Sequence, residues 1–179
     1  LFDLHDKDAV MLRAAVEADI PAISHLATEA FVAKFGHLYR SEDLAAFLDE
    51  SLSEPAIAAE LANPARVYQL AEGPDGLLGY CKIGLTCGFP DHARGQRVME
   101  LKQLYTAPDA TGQGIGAALM DWALVQFAAR GADEVQISVY AENHGAHRFY
   151  ARYGFEKVAD ITFRVGDHID PEFLFARRF

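Results

Sequence analysis

The sequence predicts an α/β protein in which a mixed central sheet of about six to seven strands is flanked by helices. Its apolar residues recur at helical spacing before Arg66 and alternate, as in strands, from that residue onwards. The later part alternates strand-like and helix-like segments without a repeat or a linker. A chain of 179 residues, 51% of them hydrophobic, is large enough to bury one core. We therefore predict a single domain over residues 8–179.

The first part of the chain predicts one short strand and three helices. The strand candidate is "AVMLRAA", and the first helix lies in "EADIPAISHLATEAFVAKFG", where Asp19 with Pro21 marks its start and Gly36 its end. In "SEDLAAFLDESL", Ser41 is the expected N-cap of the second helix. The third helix lies in "SEPAIAAELANP" and ends at its Asn-Pro pair, because the residue before a proline disfavours helical geometry.

The second part predicts most of the sheet. "RVYQLAE", a "GPDG" turn and "LLGYCKIGLT" indicate a hairpin, and "VMELKQLYTA" indicates a further strand. An amphipathic helix follows and ends near Gly131, and its apolar face is predicted to hold Ile115, Ala118, Leu119, Trp122 and Val125. "EVQISVYA" indicates a buried strand and "NHGAHRFYARYG" a short helix, and the last two strands are "FEKVADITFRV" and "EFLFARRF".

Composition narrows the functional classes. A net charge of −10 without a basic patch argues against nucleic-acid binding. No run of about 18 apolar residues indicates a membrane span, and the start "LFDLHDKDAVMLRAAV" lacks the pattern of a signal peptide. Cys81 and Cys87 are too few for a disulfide scaffold and would lie roughly 20 Å apart on one strand, so we expect a reducing, cytoplasmic setting. Seven scattered histidines without His-x-x-x-His spacing predict no metal site.

Three glycines, Gly112, Gly114 and Gly116, occupy alternate positions between the strand "VMELKQLYTA" and the following helix. The start of a helix offers unpaired N–H groups and a partial positive charge, and glycine lets a ligand approach the backbone closely. The pattern therefore predicts a phosphate-containing ligand at this turn. The alternative is a tight strand-to-helix turn without any ligand.

Two nucleotide-binding motifs fit this turn less well. A P-loop requires Lys and then Ser or Thr after its last glycine, where Ala117 and Ala118 stand. A dinucleotide-binding turn is matched by Gly112, Gly114 and Ala117, and Glu142 follows a later strand. Against it, "PDAT" separates the strand from the first glycine, and about sixty remaining residues cannot build a second mononucleotide-binding half.

The stretch "LYTAPDATGQGIGAALM" resembles the acetyl-CoA-binding signature of the GNAT superfamily of N-acetyltransferases, with a core of Gln or Arg, two residues, Gly, one residue, then Gly or Ala. That core maps onto residues 111–116, where Thr111 replaces the usual Arg or Gln. A second element, "NHGAHRFYARYGF", is similar to the later motif of the superfamily and follows in the expected order. The flanking segments resemble, more loosely, the bacterial polyamine-acetyltransferase-like branch.

The resemblance implies an acyl-CoA N-acyltransferase fold, in which "MELKQLYTA" splays away from its neighbour and frees backbone groups for the pantetheine arm. The glycine turn would hold the pyrophosphate, and Asn143 would reach the pantetheine from the other side. The contacts with acetyl-CoA that it implies are Leu104, Tyr105, Thr106, Thr111, Gly112, Gln113, Gly114, Ile115, Gly116, Ala117, Asn143 and Tyr150.

Tyr150 matches the superfamily position proposed to protonate the departing thiolate. A phenol with an ordinary pKa near 10 is protonated at neutral pH and suits that task. The alternative is that "RFYARYGF" is only an aromatic core helix, in which Phe149 or Tyr153 would serve as well.

Glu100 is the candidate general base, acting directly or through water. A charged side chain in a strand that should lie centrally is costly unless it faces a wet cleft. The alternative is that Glu100 simply pairs with Lys102 or Arg97.

Two further segments carry charges whose role stays open. The loop from Asp91 to Gly95 either rims the acceptor site or is an ordinary exposed loop. Asp43, Asp49 and Glu50 either attract a cationic amine or form the solvated face of a helix.

We therefore predict an N-acetyltransferase that moves an acetyl group from acetyl-CoA to a primary amine by direct transfer in a ternary complex. The acceptor is expected to be a small molecule, a polyamine or another small amine, and a homodimer would pair the late strands. The alternatives are a catalytically silent acyl-CoA-binding module and a dinucleotide-binding oxidoreductase.

Overall fold

The computed structural model describes residues 10–179, whose strands form one sheet of seven. The helices are α1 (Ile20–Phe35), α2 (Ser41–Phe47), α3 (Glu54–Ala62), α4 (Ile115–Ala129) and α5 (His144–Arg152). The strands are β1 (Met11–Ala14), β2 (Arg66–Gly73), β3 (Gly76–Gly84), β4 (Val98–Thr106), β5 (Glu134–Tyr140), β6 (Glu156–Val165) and β7 (His168–Arg178). Residues 8 and 9 of the predicted domain, and with them the first residue of the strand candidate "AVMLRAA", lie outside the described part of the chain.

The sheet is mixed, as predicted, and its strand order is β1-β2-β3-β4-β5-β7-β6. Neighbouring strands are antiparallel except β4 and β5, which are parallel because α4 carries the chain back between them. Since β7 returns between β5 and β6, the last hairpin completes one edge of the sheet. β4 holds the central position that the sequence predicted.

Each face of the sheet is covered by its own group of helices. On one face, α1 and α3 bury residues such as Ile23, Phe31 and Ile57 against Leu70 and Tyr80. On the other face, the apolar side of α4 packs against β2, β3 and β4, and Tyr150 of α5 joins the same cluster. No helix among residues 10–179 is both long and apolar enough to span a bilayer.

The predicted apolar face of α4 is confirmed at Ile115 and Leu119 but wrong at Val125. Val125 is 63% exposed, whereas the buried residues are Ile115, Leu119, Met120, Ala123 and Phe127. Steps of four residues from Ile115 keep one face toward the sheet. Val125 lies two residues beyond Ala123, which turns its side chain about 200° around the axis, to the solvent side.

Two helix starts also differ from the prediction. Ser41 is the first residue of α2 rather than its N-cap, and its side chain makes no capping bond. Asp19 precedes α1 as predicted, but its carboxylate accepts hydrogen bonds from Arg13 at 2.8 Å instead of capping the helix. Both cysteines are free, and Cys87 lies in the loop after β3 rather than on the strand that holds Cys81.

Candidate active site

The two central parallel strands separate soon after they meet. β4 pairs with β5 only over Val98–Glu100 and Glu134–Gln136, and beyond that point their backbones diverge. A bulge between Lys82 and Ile83 in the β3–β4 ladder inserts an extra residue into β4 at the same level. Backbone groups at the end of β4 are therefore left without a partner on the β5 side.

A cleft of about 1100 Å³ occupies this gap. Its lining includes Ile137 and Val139, which face α4, as well as Ser138 and Tyr140, which face α1. Because successive side chains of a strand point to opposite faces, the cleft runs through the sheet from one face to the other. Ligands that enter from opposite faces can therefore meet between the splayed strands.

The predicted glycine turn adjoins the cleft through Thr111, while Gly112, Gly114 and Gly116 lie outside the lining. Gly112 and Gly114 have φ values of +77° and +79°, which residues with a side chain rarely adopt. A Cβ added at either residue would meet no atom within 4 Å, so the space above the turn is open. The first amides of α4 have no partner within the helix, and no side chain caps them. The turn is therefore shaped to receive an anionic group.

The other residues of the turn divide into two groups. Thr111 lines the cleft, and Gln113 is exposed beside it. The side chain of Ile115 is buried in the core against Gly79, so that residue offers only its amide to a ligand. Gly116 and Ala117 lie in the first turn of α4, and a Cβ on Gly116 would approach only Phe149, at 3.7 Å. Packing therefore does not require a glycine at position 116.

The remaining predicted contacts flank the same cleft. Leu104, Tyr105 and Thr106 line it from the free end of β4. Asn143 lines it from the opposite side, and its side-chain oxygen caps α5 by accepting from the amide of Ala146 at 3.3 Å. The structure thus brings these predicted residues to the walls of one cavity.

Tyr150 differs from its two aromatic neighbours in its position relative to the cleft. It lines the cleft and is 8% exposed, whereas Phe149 and Tyr153 lie outside the lining. Burial above all, with smaller contributions from Cys81 and Tyr105, raises the pKa of the Tyr150 phenol. The hydroxyl therefore keeps its proton at neutral pH and faces the space between the strands.

Glu100 lies at the other end of the cleft, in an ion pair. Its carboxylate accepts from the ammonium group of Lys102 at 3.0 Å, while Arg97 binds elsewhere. The backbone of Gly88 packs against it so closely that a Cβ there would lie 2.2 Å from a Glu100 oxygen. A second cluster lies nearby, where Glu60 pairs with Lys82 at 3.0 Å and with Arg66 at 3.1 Å.

Sequence reasoning missed Glu172, which is the most unusual acid of the cleft. It is 8% exposed, and within residues 10–179 its hydrogen-bond partner is the Ser138 hydroxyl at 3.2 Å. Burial, opposed by that hydrogen bond and aided by the charge of Asp170, raises the pKa of Glu172 to about 7. The period of β7 offered a signal, because Glu172 shares its face with the buried Leu174 and Ala176.

The structure decides between the alternatives that the sequence left open for two charged segments. The loop from Asp91 to Gly95 does not line the cleft; the amides of Arg94 and Gly95 donate to the buried Glu134 at 2.9 and 3.2 Å. Asp43 is neither solvated nor free for an amine. It is buried and accepts from the amide of Asp167 at 2.9 Å, so it fixes the β6–β7 turn to α2. Glu50, by contrast, is exposed at the edge of the cleft.

A seven-stranded mixed sheet, a splay at its centre and an open helix start beside it define an acyl-CoA-dependent acyltransferase. The model of the acetyltransferase (GNAT) family matches residues 21–155, and the chain belongs to that family. It is an N-acetyltransferase that uses acetyl-CoA. Because the matched residues include the glycine turn, that turn does not belong to a dinucleotide-binding oxidoreductase.

Relatives agree with this assignment, and a solved structure shares the fold. The chain is 34% identical to an uncharacterised N-acetyltransferase of Mycobacterium tuberculosis, over 76% of this chain and 82% of that protein. It is 31% identical to the aminoalkylphosphonate N-acetyltransferase of Salmonella typhimurium, over 62% of this chain and 70% of that protein. The fold is similar to that of the PaiA N-acetyltransferase of Thermoplasma acidophilum in complex with coenzyme A. The TM-score is 0.78, at 19% identity over 96% and 99% of the two chains.

Proposed function

We propose that this enzyme transfers the acetyl group of acetyl-CoA directly to the primary amine of a small acceptor, within a ternary complex. The observation that supports it best is the cleft through the splayed sheet, because it extends from Thr111, just before the open start of α4, to a charged, acid-containing cavity on the other face. Neither Cys81 nor Cys87 lines that cleft, so no covalent cysteine intermediate enters the proposal.

Residues on the α4 side fit the co-substrate. The amides that follow Gly112 and Gly114 would hold the pyrophosphate, and the loss of a long side chain at Thr111 leaves those amides unchanged. The unpaired backbone at Leu104–Thr106 would hold the pantetheine arm as an added strand, opposite Asn143. When bound, the thioester supplies the acetyl group.

We assign the acid role to Tyr150. A phenol that stays protonated at neutral pH and opens onto the cleft can give its proton to the leaving thiolate. Its buried position limits the access of water to the Tyr150 hydroxyl. Transfer of the proton to the sulfur is therefore favoured over exchange with water.

Glu100 was the base proposed from the sequence, and the structure leaves two roles for it. It lines the cleft, but its pair with Lys102 is also the structural alternative that the sequence left open. A Glu100→Gln variant separates the two roles, because a base changes the pH–rate profile whereas a member of an ion pair changes mainly stability.

The acceptor we propose is a small cationic amine, and polyamines are one class within it. The cleft carries four glutamates, Glu50, Glu60, Glu100 and Glu172, and four cations, Lys34, Arg66, Lys82 and Lys102. Three of the cations are held in ion pairs with Glu60 and Glu100, so Glu50 and Glu172 are the acids of the lining outside these pairs. These two acids can attract one or two ammonium groups, which suits a small amine better than a long polycation. The name of the Salmonella relative adds aminoalkylphosphonates to the classes worth testing.

The test of this proposal has two parts. Calorimetry with acetyl-CoA measures binding at the α4 side, and a thiol-release assay with polyamines, amino acids, peptides with free N-termini and 2-aminoethylphosphonate measures transfer. Saturable binding with turnover of at least one amine is expected. Binding without thiol release would favour the catalytically silent module, and no binding would refute the assigned site. We also expect a reducing, cytoplasmic setting, in line with the two free thiols.

A further inference from the structure

Glu172 differs from every other buried acid among the described residues in what surrounds it. Glu134 pairs with Arg178 at 2.7 Å and accepts backbone amides, and Glu100 pairs with Lys102. Glu172 has no cation within ion-pair distance in the described part of the chain, and only the Ser138 hydroxyl donates to it. A buried carboxylate without a counter-charge is costly, and an apolar residue at this position would stabilise the fold more. The structure of the free protein therefore gives no stabilising reason for this acid.

The position of Glu172 shows where a counter-charge can come from. It lies on β7 beside Tyr140 of β5, with its side chain on the wall of the cleft. Tyr105 lines the same cleft, near both Glu172 and Tyr150. Burial and then the charge of Glu172 raise the pKa of Tyr105, and Tyr105 in turn contributes to the raised pKa of Tyr150. A cation that reaches Glu172 through the cleft would thus lie between the splayed strands.

We propose that Glu172 binds the ammonium group of the acceptor and removes a proton from it, so that Glu172 rather than Glu100 is the general base. This inference rests on the proposed function and adds the place of the acceptor amine. Ser138 is a positioning residue, because its hydroxyl donates to the carboxylate and fixes the oxygen that faces it.

The proposed step balances as follows. The acceptor R–NH3⁺ gives one proton to the Glu172 carboxylate, which later releases it to solvent. The neutral amine then forms a C–N bond with the acetyl carbon while the C–S bond breaks. Tyr150 gives its proton to the thiolate and regains one from the same nitrogen, so that R–NH–acetyl, free coenzyme A and one solvent proton result.

A base of this kind makes the rate rise with pH as the carboxylate ionises, near pH 7 for Glu172. The groups that face it are Asp170 on β7, Tyr140 on β5, Tyr105 on β4, Tyr39 between α1 and α2, His168 against Asp170, and, along the cleft, Lys34 and Glu50. The three tyrosines stay protonated in this range, since burial raises their pKa values. His168, which contacts Asp170, is the neighbour that needs a control variant.

The experiment is a pH–kcat/KM profile from pH 5.5 to about 9 by thiol release, because kcat/KM reports the ionisation of the free enzyme. The acceptor is the amine that the wild type acetylates fastest. Glu172→Gln should lower kcat by about 10²-fold and remove the ascending limb, while its affinity for acetyl-CoA stays that of the wild type. Ser138→Ala should keep the ascending limb and move it to higher pH. The Ser138 hydrogen bond stabilises the charged carboxylate, so its removal raises the pKa of Glu172. His168→Asn and the exposed Glu156→Gln should keep the limb unmoved.

Two results would overturn the inference. One is an ascending limb that is unchanged in Glu172→Gln, and the other is an ascending limb that is lost in Glu100→Gln alone. Either leaves acetyl-CoA binding and the proposed function intact. Should Glu172→Gln fold poorly, the shift in Ser138→Ala decides, since a merely structural hydroxyl would not move the limb. Failure of the wild type to bind acetyl-CoA in calorimetry would instead refute the proposed function itself.

Discussion

Replacing Glu172 with glutamine should make the free protein more stable at alkaline pH but not at acid pH. The folded protein raises the pKa of this carboxyl from 4.5 to about 7, chiefly by burial. A raised pKa means that the fold favours the protonated form, so the stability from this residue is fully present below pH 4.5 and is lost as the pH rises through about 7. Glutamine is neutral, of similar shape, and can still accept from Ser138, so it removes this dependence.

The magnitude follows from the two pKa values. Each pKa unit of difference is worth about 1.36 kcal/mol, so a rise from 4.5 to about 7 corresponds to about 3 kcal/mol at pH 8. Most of the change falls between pH 5 and 8. For a domain of this size, about 3 kcal/mol shifts Tm by roughly 6–12 °C.

The assay is urea unfolding of wild type and Glu172→Gln at several values between pH 5 and 8, without acetyl-CoA. The difference in unfolding free energy should be small at pH 5 and grow to about 3 kcal/mol at pH 8. Other titrating groups are the same in both proteins and cancel. Glu156→Gln, at an exposed position on β6, is the matched control and should follow the wild type. Parallel curves for wild type and Glu172→Gln would refute the reasoning about burial.

Three further predictions concern the rest of the site. Tyr150→Phe should lower turnover by about 10²-fold or more with little change in acetyl-CoA affinity, and Tyr153→Phe, outside the cleft, should not; equal effects would remove the acid role. Gly114→Ala should cost about 1–2 kcal/mol in thermal or urea unfolding because of its positive φ, whereas Gly116→Ala should keep stability and weaken acetyl-CoA binding in calorimetry. An unaltered affinity in Gly116→Ala would show that the ligand does not approach that residue. Glu100→Gln should keep the ascending limb of the pH–rate profile, measured by thiol release.

Much of the fold could be predicted because its signals are local. The period of apolar residues changed where α3 gave way to β2, and glycines and prolines marked the ends of α1 and α3. The glycine turn could be placed before α4 because its chemistry depends on the backbone of a few successive residues, and Asn143 caps α5 within its own motif. The family model confirms the interpretation of these two motifs as parts of an N-acetyltransferase.

What the sequence by itself determined is therefore the set of elements, the turn before α4 and the presence of Tyr150 at the correct spacing from it. Only the tertiary structure decided the roles of the acids. Asp43 meets the turn around Gly166, and Glu172 meets Ser138, across 124 and 34 residues of sequence. The physical reason is that burial and ion pairing set the cost of a charge, and both depend on which distant strands and helices become its neighbours.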